Sequence, residues 1–330
     1  MSVTMKDLAK YTGLSLGTVS NYINGKVPVS KEKGDCIEKA IEDLGYTVNV
    51  TARTLKTKNY NCIGVLIPAF SNQFMLKVIK YIELMLTEYH YDMLVLSYNN
   101  HMDNLYKQLK FLKQRTDGIL CVPMQGMNLD VFRKNKKIPI ITFDEATDEV
   151  VGDRVLVNNT QIVENAINRI IGKGHTRIGL IAGRKNDYTT LQRRIGYENA
   201  LIHNGLPVLE KNIIYGNYEK ESGFECCKQL IEQDPQITAI FVVGYFMTLG
   251  VLAALKELKM EYKIDVIGYD ASDVADIINS NFGYVYQPYL EIARALVNLI
   301  MKRVKGDYSD YPTTEIVKAE IRDADFIKKN

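Results

Sequence analysis

Residues 5–25 read "MKDLAKYTGLSLGTVSNYING", and the spacing of three small or apolar residues within them decides what kind of head the chain carries. Ala9, Gly13 and Val19 meet the steric needs of a helix-turn-helix: a small side chain where two helices approach, a glycine for the turn, and a β-branched plug in the joint. Thr4 with Asp7 three residues on predicts a helix start, with Asp in place of the usual Glu; Leu8, Ala9 and Thr12 follow and Gly13 stops it. Ser15 predicts the cap of a second helix, with Val19, Tyr22 and Ile23 on one face and Asn24-Gly25 at its end. Further out, Ser30 predicts the cap of a third, whose Ile37, Ala40, Ile41 and Leu44 form an apolar stripe closed by Gly45. Any two-helix corner can carry such residues. Ser15, Thr18, Ser20 and Asn21, however, cluster on and around the second helix as short polar groups able to reach phosphates or base edges.

Charge along the chain agrees with a polyanion partner for this head. Residues 1–60 hold nine Lys/Arg against six Asp/Glu, net +3, which leaves 32 against 33 for the other 270 of the 330 residues. A basic head on a neutral body permits contact with nucleic acid without proving it. Apolar residues make up 46% and charged ones 24%, so a folded chain with a sizeable core is expected, of two or three domains by length. The five cysteines have neither a disulfide framework nor a C-x-x-C spacing, and the start "MSVTMKDLAK" lacks the apolar core of a signal peptide. The expected setting is the reducing cytoplasm, with no membrane span, cofactor or metal.

From Cys62 onward short apolar runs alternate with amphipathic helices. Strands are predicted over 63–67, 93–97, 118–122, 138–143, 177–182, 213–215, 239–243 and 265–268. A helix is predicted from Met75 to Tyr89, with Met75, Val78, Ile79, Ile82 and Leu86 on one face. Near-continuous apolar strands between helices indicate parallel sheets covered on both faces. The body is therefore expected as an α/β fold of two doubly wound halves, binding ligand at the carboxyl ends of its strands.

Several ordered motifs then resemble one family. Residues 4–68 resemble the start of a lactose-repressor/galactose-repressor family regulator through D-[VL]-A-x-x-x-G-[VL]-S-x-x-T-V-S-x-x-[IL]-N-G, I-x-x-L-G-Y, N-x-x-A-R-x-L and an I-G-V strand. "FSNQFM" (70–75), "GKGHTRIGLIAG" (172–183), "RRIGYENAL" (193–201), "VIGYDAS" (266–272) and Gln287-Pro288 extend the likeness over the whole chain. The resemblance implies a small all-α helix-turn-helix head, a hinge helix, and a body of two doubly wound subdomains resembling periplasmic sugar-binding proteins. It implies a head over 1–47, a hinge helix and linker over 48–60, and an effector-binding and dimerisation domain over 61–330. Within that domain the N-subdomain is expected at about 61–159 and 289–320, and the C-subdomain at about 160–288 and 321–330.

The function so implied is a homodimeric repressor that reads a pseudo-palindromic operator, with affinity modulated by a sugar, sugar phosphate or other metabolite. DNA contacts are implied from Thr4, Ser15, Leu16, Gly17, Thr18, Ser20, Asn21 and Asn24, and in the hinge from Asn49, Ala52, Arg53, Leu55 and Lys56. Effector contacts are implied from Phe70, Asn72, Phe74, Asp144, Asn158, Arg193, Tyr245 and Asp270. Each has a plainer reading: Phe70 and Phe74 as core, Asn158 as a turn residue, Asp144 and Asp270 as caps. Departures from the family pattern matter. Leu16 and Gly17 open the recognition helix with apolar contact alone, and Asn21 stands where arginine is common, which favours adenine over guanine. Gly244-Tyr245 replaces a frequent Asn-Asp, removing an acceptor suited to sugar hydroxyls. The segment "KELKMEYKIDVIGYD" (256–270) is shorter than usual.

Competing classes have less to stand on. A transport-type binding protein shares the implied body but has no use for the head; control by a protein partner is the other alternative. No G-x-S-x-G, Walker A, G-x-G-x-x-G or H-E-x-x-H pattern supports an enzyme. The four histidines show no ligand spacing.

The segment "YTVNVTARTLKT" (46–57) divides its preferences between β-branched residues and helix formers. The resemblance makes it a hinge that folds in the operator's minor groove, with Leu55 as an apolar wedge between base steps and Arg53 or Lys56 on phosphates. Val48 and Val50 replace a common Pro and Ala. Leu55→Ala should therefore lower operator affinity strongly and reduce bending, whereas Val50→Ala should raise affinity slightly. Circular-permutation gel shifts on operator DNA read both, and an unchanged bend angle in Leu55→Ala refutes the wedge.

Overall fold

Thr4 begins the chain's first element as read from its sequence. The computed structural model describes residues 3–23, 27–46, 59–127, 138–147, 152–270 and 282–323. The chain divides into two compact units, Met1–Tyr60 and Asn61–Asn330.

In the first unit, helix α1 (Met5–Thr12) starts at Thr4, whose N–H and hydroxyl both donate to the Asp7 carboxylate, at 2.8 and 2.6 Å. It ends at Gly13, at φ 67°, a left-handed conformation that costs glycine no Cβ clash. Helix α2 (Leu16–Ile23) is capped by Ser15, whose Oγ accepts from the Thr18 N–H at 3.1 Å. Helix α3 (Lys31–Leu44) departs from expectation at its start. Ser30 holds the cap position, but its side chain makes no capping bond, and only its carbonyl enters the helix, accepting from the Gly34 N–H. Gly45 closes α3 as predicted, at φ 59°. Leu8, Val19, Ile37 and Ala40 are fully buried and form the small core, with Ala9, Tyr22, Ile23, Ile41 and Leu44 packed around it. A methyl at Gly34 would come within 2.9 Å of the Tyr22 ring, so glycine there sets the approach of α2 to α3.

The second unit contains two six-stranded sheets. The first is built from β1 (Cys62–Ile67), β2 (Asp92–Ser97), β3 (Gly118–Cys121), β4 (Ile140–Phe143), β5 (Arg154–Val157) and β11 (Thr314–Val317), all parallel, in the order β11-β5-β4-β3-β1-β2. The second holds β6 (Ile178–Ala182), β7 (Ile213–Tyr215), β8 (Ala239–Val242), β9 (Asp265–Tyr269), β10 (Phe282–Tyr286) and β12 (Glu320–Asp323), in the order β12-β10-β9-β8-β6-β7. Only β12 in that sheet runs antiparallel, against β10. The eight strands expected from the sequence are present with ends shifted by a residue or two. Four more were not anticipated: β5 and β10, which are short buried runs (Arg-Val-Leu-Val and Phe-Gly-Tyr-Val-Tyr), and β11 and β12, which carry charges. Val65, Leu120, Ile141, Leu180, Ile240 and Phe241 are fully buried, the consecutive Ile240 and Phe241 on opposite faces of β8, as a strand covered on both faces requires.

The chain crosses between the sheets three times: at Asn158, at Gln287-Pro288 and at Lys318-Ala319. Each crossing is tied down. Asn158 Oδ1 accepts from the Ala319 N–H at 2.8 Å, and the Asn158 N–H donates to the Val317 carbonyl at 3.2 Å, joining two crossings. At the third, buried Asp270 accepts from the Gln287 N–H (3.2 Å), Gln287 Nε2 (2.5 Å) and the Tyr289 hydroxyl (3.0 Å).

Beyond that crossing, the helix Tyr289–Val304 lies on the first sheet, where Ile300 packs so closely over Gly118 that a methyl there would meet it at 2.8 Å. Arg303, 1% exposed, joins this helix to the sheet through a two-pronged pair with buried Asp153 at 2.7 and 2.9 Å. It also donates to Asp310 and to the Asp307 carbonyl, both at 2.7 Å. A buried charge left without its partner is costly, so Asp153→Ala should lower stability by about 3–5 kcal/mol in a urea titration. Lys302→Ala, at the exposed end of the same cluster, should change the midpoint little.

Candidate functional site

The first candidate surface is the start of α2. Ser15, Leu16 and Gly17 are exposed there, Leu16 at 43%, while Thr18, Ser20 and Asn21 are half-buried along the helix. The Ser15 and Thr18 hydroxyls lie 2.9 Å apart and Ser15 also caps the helix, so their first task is local. The exposed tip is thus an apolar pair, Leu16 and Gly17, flanked by small polar groups. Lys6, Lys10, Lys31, Lys33 and Lys39 are exposed on the same unit. Of the implied DNA contacts, Asn24, Asn49, Ala52, Arg53, Leu55 and Lys56 lie outside the described residues.

The second is a cavity of about 310 Å³ in the second unit. It lies where the two sheets point their strand ends at each other: Asn72 and Phe74 follow β1, Tyr98 follows β2, Gln125 follows β3, and Asp144 and Glu145 follow β4. From the other sheet come Arg184, Asp187 and Arg193 after β6, Tyr218 after β7, Tyr245 after β8, and Tyr269 and Asp270 at and beyond the end of β9. Carboxyl ends of parallel strands are where such folds bind ligands.

Six of the eight implied effector residues line it: Asn72, Phe74, Asp144, Arg193, Tyr245 and Asp270. Two do not. Phe70 is half exposed, at 50%, and its ring is not part of the wall. Asn158 is spent on the chain crossing, its carboxamide oxygen held by the Ala319 N–H. Of the six, Asn72 also caps the helix Gln73–Glu88 by accepting from the Met75 N–H at 3.2 Å. Phe74 is 7% exposed and packs against Tyr289 at 6.1 Å. Asp144 and Asp270 sit at φ 64° and 56°, left-handed turns that swing the chain away at the ends of β4 and β9.

Arg193 is the best-anchored side chain in the wall. Its Nε donates to Asn159 Oδ1 at 2.8 Å and its Nη1 to the Val243 carbonyl at 2.7 Å, and its guanidinium lies 3.9 Å from the Tyr269 ring centre. Sequence reading missed Glu145, Arg184, Asp187, Tyr218, Tyr269 and Gln287 as wall residues. Glu145 directly follows Asp144 and was legible as a paired carboxylate. Tyr218 carried no signal of its own: it enters the wall because Gly183 and Gly244 leave room, a methyl at Gly244 lying 3.0 Å from its ring. Gly244 therefore makes space for this ring, which bonds Thr190 at 2.7 Å through its hydroxyl.

Glu145 links the two halves. The helix Tyr188–His203 begins at Asp187, whose side chain makes no capping bond. Glu145 supplies the cap from the other sheet, accepting from the Tyr188 N–H at 2.7 Å, from the Thr189 N–H at 3.4 Å and from the Thr189 hydroxyl. Burial pushes its carboxyl up to about 8, the Asp144 charge adding to the effect and the Thr189 hydroxyl opposing it. Burial likewise lifts Asp144 to about 6, against the pull of Arg193.

Sequence comparison matches residues 4–49 to bacterial regulatory proteins of the lacI family. Residues 60–300 match the periplasmic binding proteins and sugar-binding domain of the LacI family. Catabolite control protein A of Priestia megaterium is 28% identical over 317 residues, covering 94% of this chain and 95% of that protein. The transcriptional repressor PurR of Photobacterium profundum is 29% identical over 311 residues, 92% of each. In fold, the chain is similar to the lac repressor dimer bound to operator and the anti-inducer ONPF (TM-score 0.86, 20% identity, 98% of both chains). It is also similar to the regulator CelR in complex with cellobiose (TM-score 0.73, 22% identity, 97% and 98%).

Both raised carboxyls bind protons more tightly in the folded protein than in the unfolded chain. Their contribution to stability is complete below the ordinary carboxylate range and is lost as pH rises through about 6 and about 8. Melting temperatures from pH 5 to 9 should fall accordingly, and Glu145→Gln should flatten the upper part of that fall, between pH 6 and 8. A variant profile parallel to the wild type contradicts the role given to Glu145.

Proposed function

The chain belongs to the LacI family of bacterial regulatory proteins, and on that premise we propose that it is a transcriptional repressor working as a homodimer on a pseudo-palindromic operator. The observation that carries this reading is the joining, in one chain, of a capped helix-turn-helix with a two-sheet body whose cavity sits at converging strand ends. We assign the head to residues 1–47, the hinge and linker to 48–60, and effector binding and dimerisation to 61–330.

In this reading α2 enters the major groove. Leu16 and Gly17 bring it close and offer apolar contact of the kind a thymine methyl takes, while Asn21 favours adenine. Ser15, Thr18 and Thr4, already bonded at helix starts, fit phosphate positioning better than base reading. A small molecule held by groups from both sheets biases how the sheets face each other about the three crossings, and the hinge passes that bias to the heads. Arg193 is the residue in the wall whose loss should uncouple ligand from DNA. Such a regulator acts in the cytoplasm, where the operator is.

Side chains that an enzyme reading would draw on, His175 and the buried cysteines, are otherwise placed. His175 is held between Thr238 (2.9 Å) and Asp265 (3.3 Å), remote from the cavity wall. Burial raises the Cys121 and Cys227 thiols to about 12, leaving them inert.

The deciding measurement is retention of the full-length protein on DNA from its own promoter region as salt is raised. Affinity should fall at least about tenfold between 50 and 200 mM salt, as counterion release requires. Absence of salt-dependent retention leaves a ligand-binding module without a role on DNA.

A further inference from the structure

Two helices begin in the cavity wall, and only one of them is closed. The helix Tyr188–His203 has Glu145 over its first N–H groups. The helix Tyr245–Glu257 has Gly244 at its cap position, where there is no side chain to do the same. The N–H groups of Phe246 and Met247, which a capping side chain would take, meet no acceptor among the described residues. Such a helix start carries partial positive charge and welcomes an anion.

An open helix start alone would mean little; Arg193 supplies the independent sign of a ligand. It is 5% exposed, and its Nε and Nη1 are held by Asn159 and the Val243 carbonyl. Its Nη2 has no partner among the described residues and is open to the cavity. Val243 directly precedes the cap residue Gly244, so the bond to its carbonyl sets the guanidinium beside the open helix start. A free guanidinium nitrogen next to free backbone N–H groups matches the two oxygens of one carboxylate.

The carboxyl groups of the wall limit the charge that can be added. Asp270 is satisfied by Gln287 and Tyr289, Glu145 keeps its proton near neutral pH, and Asp187 lies 3.9 Å from Arg184. Asp144 already draws on the Arg193 charge. The wall therefore suits a single negative charge at Arg193 and hydroxyl donors toward Asp144. The volume of about 310 Å³ suits a small ligand.

We propose that the effector is a hydroxylated monocarboxylate of about hexose size, its carboxylate held between Arg193 Nη2 and the start of the helix Tyr245–Glu257. The proposal rests on the effector reading above and narrows it: a neutral sugar leaves both donors unused, and a phosphate dianion brings more charge than they offset. Binding also has a proton signature. Asp144 faces Arg193, Asp270, Asp187 and Glu145; an anion on Arg193 blunts the one cation in that set and adds a like charge. Asp144 then holds a proton more tightly, so binding near pH 6 takes up protons.

The test is isothermal titration of the full-length protein with glucuronate, glucose and glucose 6-phosphate, at pH 6 in two buffers of different ionisation enthalpy. Glucuronate should bind at least about tenfold more tightly than either of the others, the scale of a charge-assisted hydrogen bond, and with proton uptake. Gly244→Asn gives the helix its own uncharged cap, for which φ −159° is permissive, and should narrow the gap between glucuronate and glucose. Gly244→Ala brings the same Cβ, 3.0 Å from the Tyr218 ring, without a capping group and should keep the gap; it thereby separates capping from crowding or misfolding. Glucose or its phosphate binding as tightly as glucuronate, or equal narrowing in the two variants, overturns the proposal and leaves the effector reading intact. No binding by any of the three also overturns it. The effector reading itself fails only if a metabolite extract leaves operator affinity unchanged.

Discussion

The three crossings between the sheets are the constraint on which the rest of the body depends. Two sheets joined by a single segment of chain would be free to move independently; joined three times, they are restricted in how they can move. Asn158 binds two crossings to each other, and Asp270 fixes the third by gathering Gln287 and Tyr289. The cavity exists because strand ends from both sheets are held face to face by these bonds. Asp270 therefore has two duties, shaping the wall and holding the crossing behind it, and its buried carboxylate is satisfied by the second.

Local and regional signals agree through most of the chain, which is why so much of it was legible. Helix caps and glycines fixed the head, down to Asp7 serving where glutamate is usual. Buried parallel strands announced themselves as apolar runs, since both faces are covered. Four strands escaped notice: Arg154–Val157 and Phe282–Tyr286 are buried runs interrupted or bounded by Arg154 and Gly283, and the other two have a different cause. Thr314–Val317 and Glu320–Asp323 are sheet-edge strands carrying charges, and three of the four residues of Thr314–Val317 are exposed. Their identity as strands comes from the neighbour they pair with, and no local pattern holds that information.

The candidate site was half legible for a related reason. Motif position placed six side chains in the wall, because motifs mark where strand ends turn. It misplaced Phe70 and Asn158, whose neighbours in space, not in sequence, decide what they do. Gly244 looked like a lost polar group, and the structure makes it the vacancy that Tyr218 fills. A substitution at one position is thus explained by a residue 26 positions away, on the far side of a helix and a strand. Electrostatics was the least legible layer: nothing in the motif around Arg193 shows that its Nε and Nη1 are held by Asn159 and the Val243 carbonyl.

Glu145, reaching from one sheet to cap a helix of the other, bears on how far the protein can be switched. A bond between the halves that needs no ligand stabilises their approach in the empty protein, so some of the closed population exists before any effector arrives. An effector that favours closure can only enlarge that fraction, and one that favours opening must first outcompete the carboxylate. One carboxyl group therefore weighs on movement in either direction, and because burial raises its pKa that weight varies with pH.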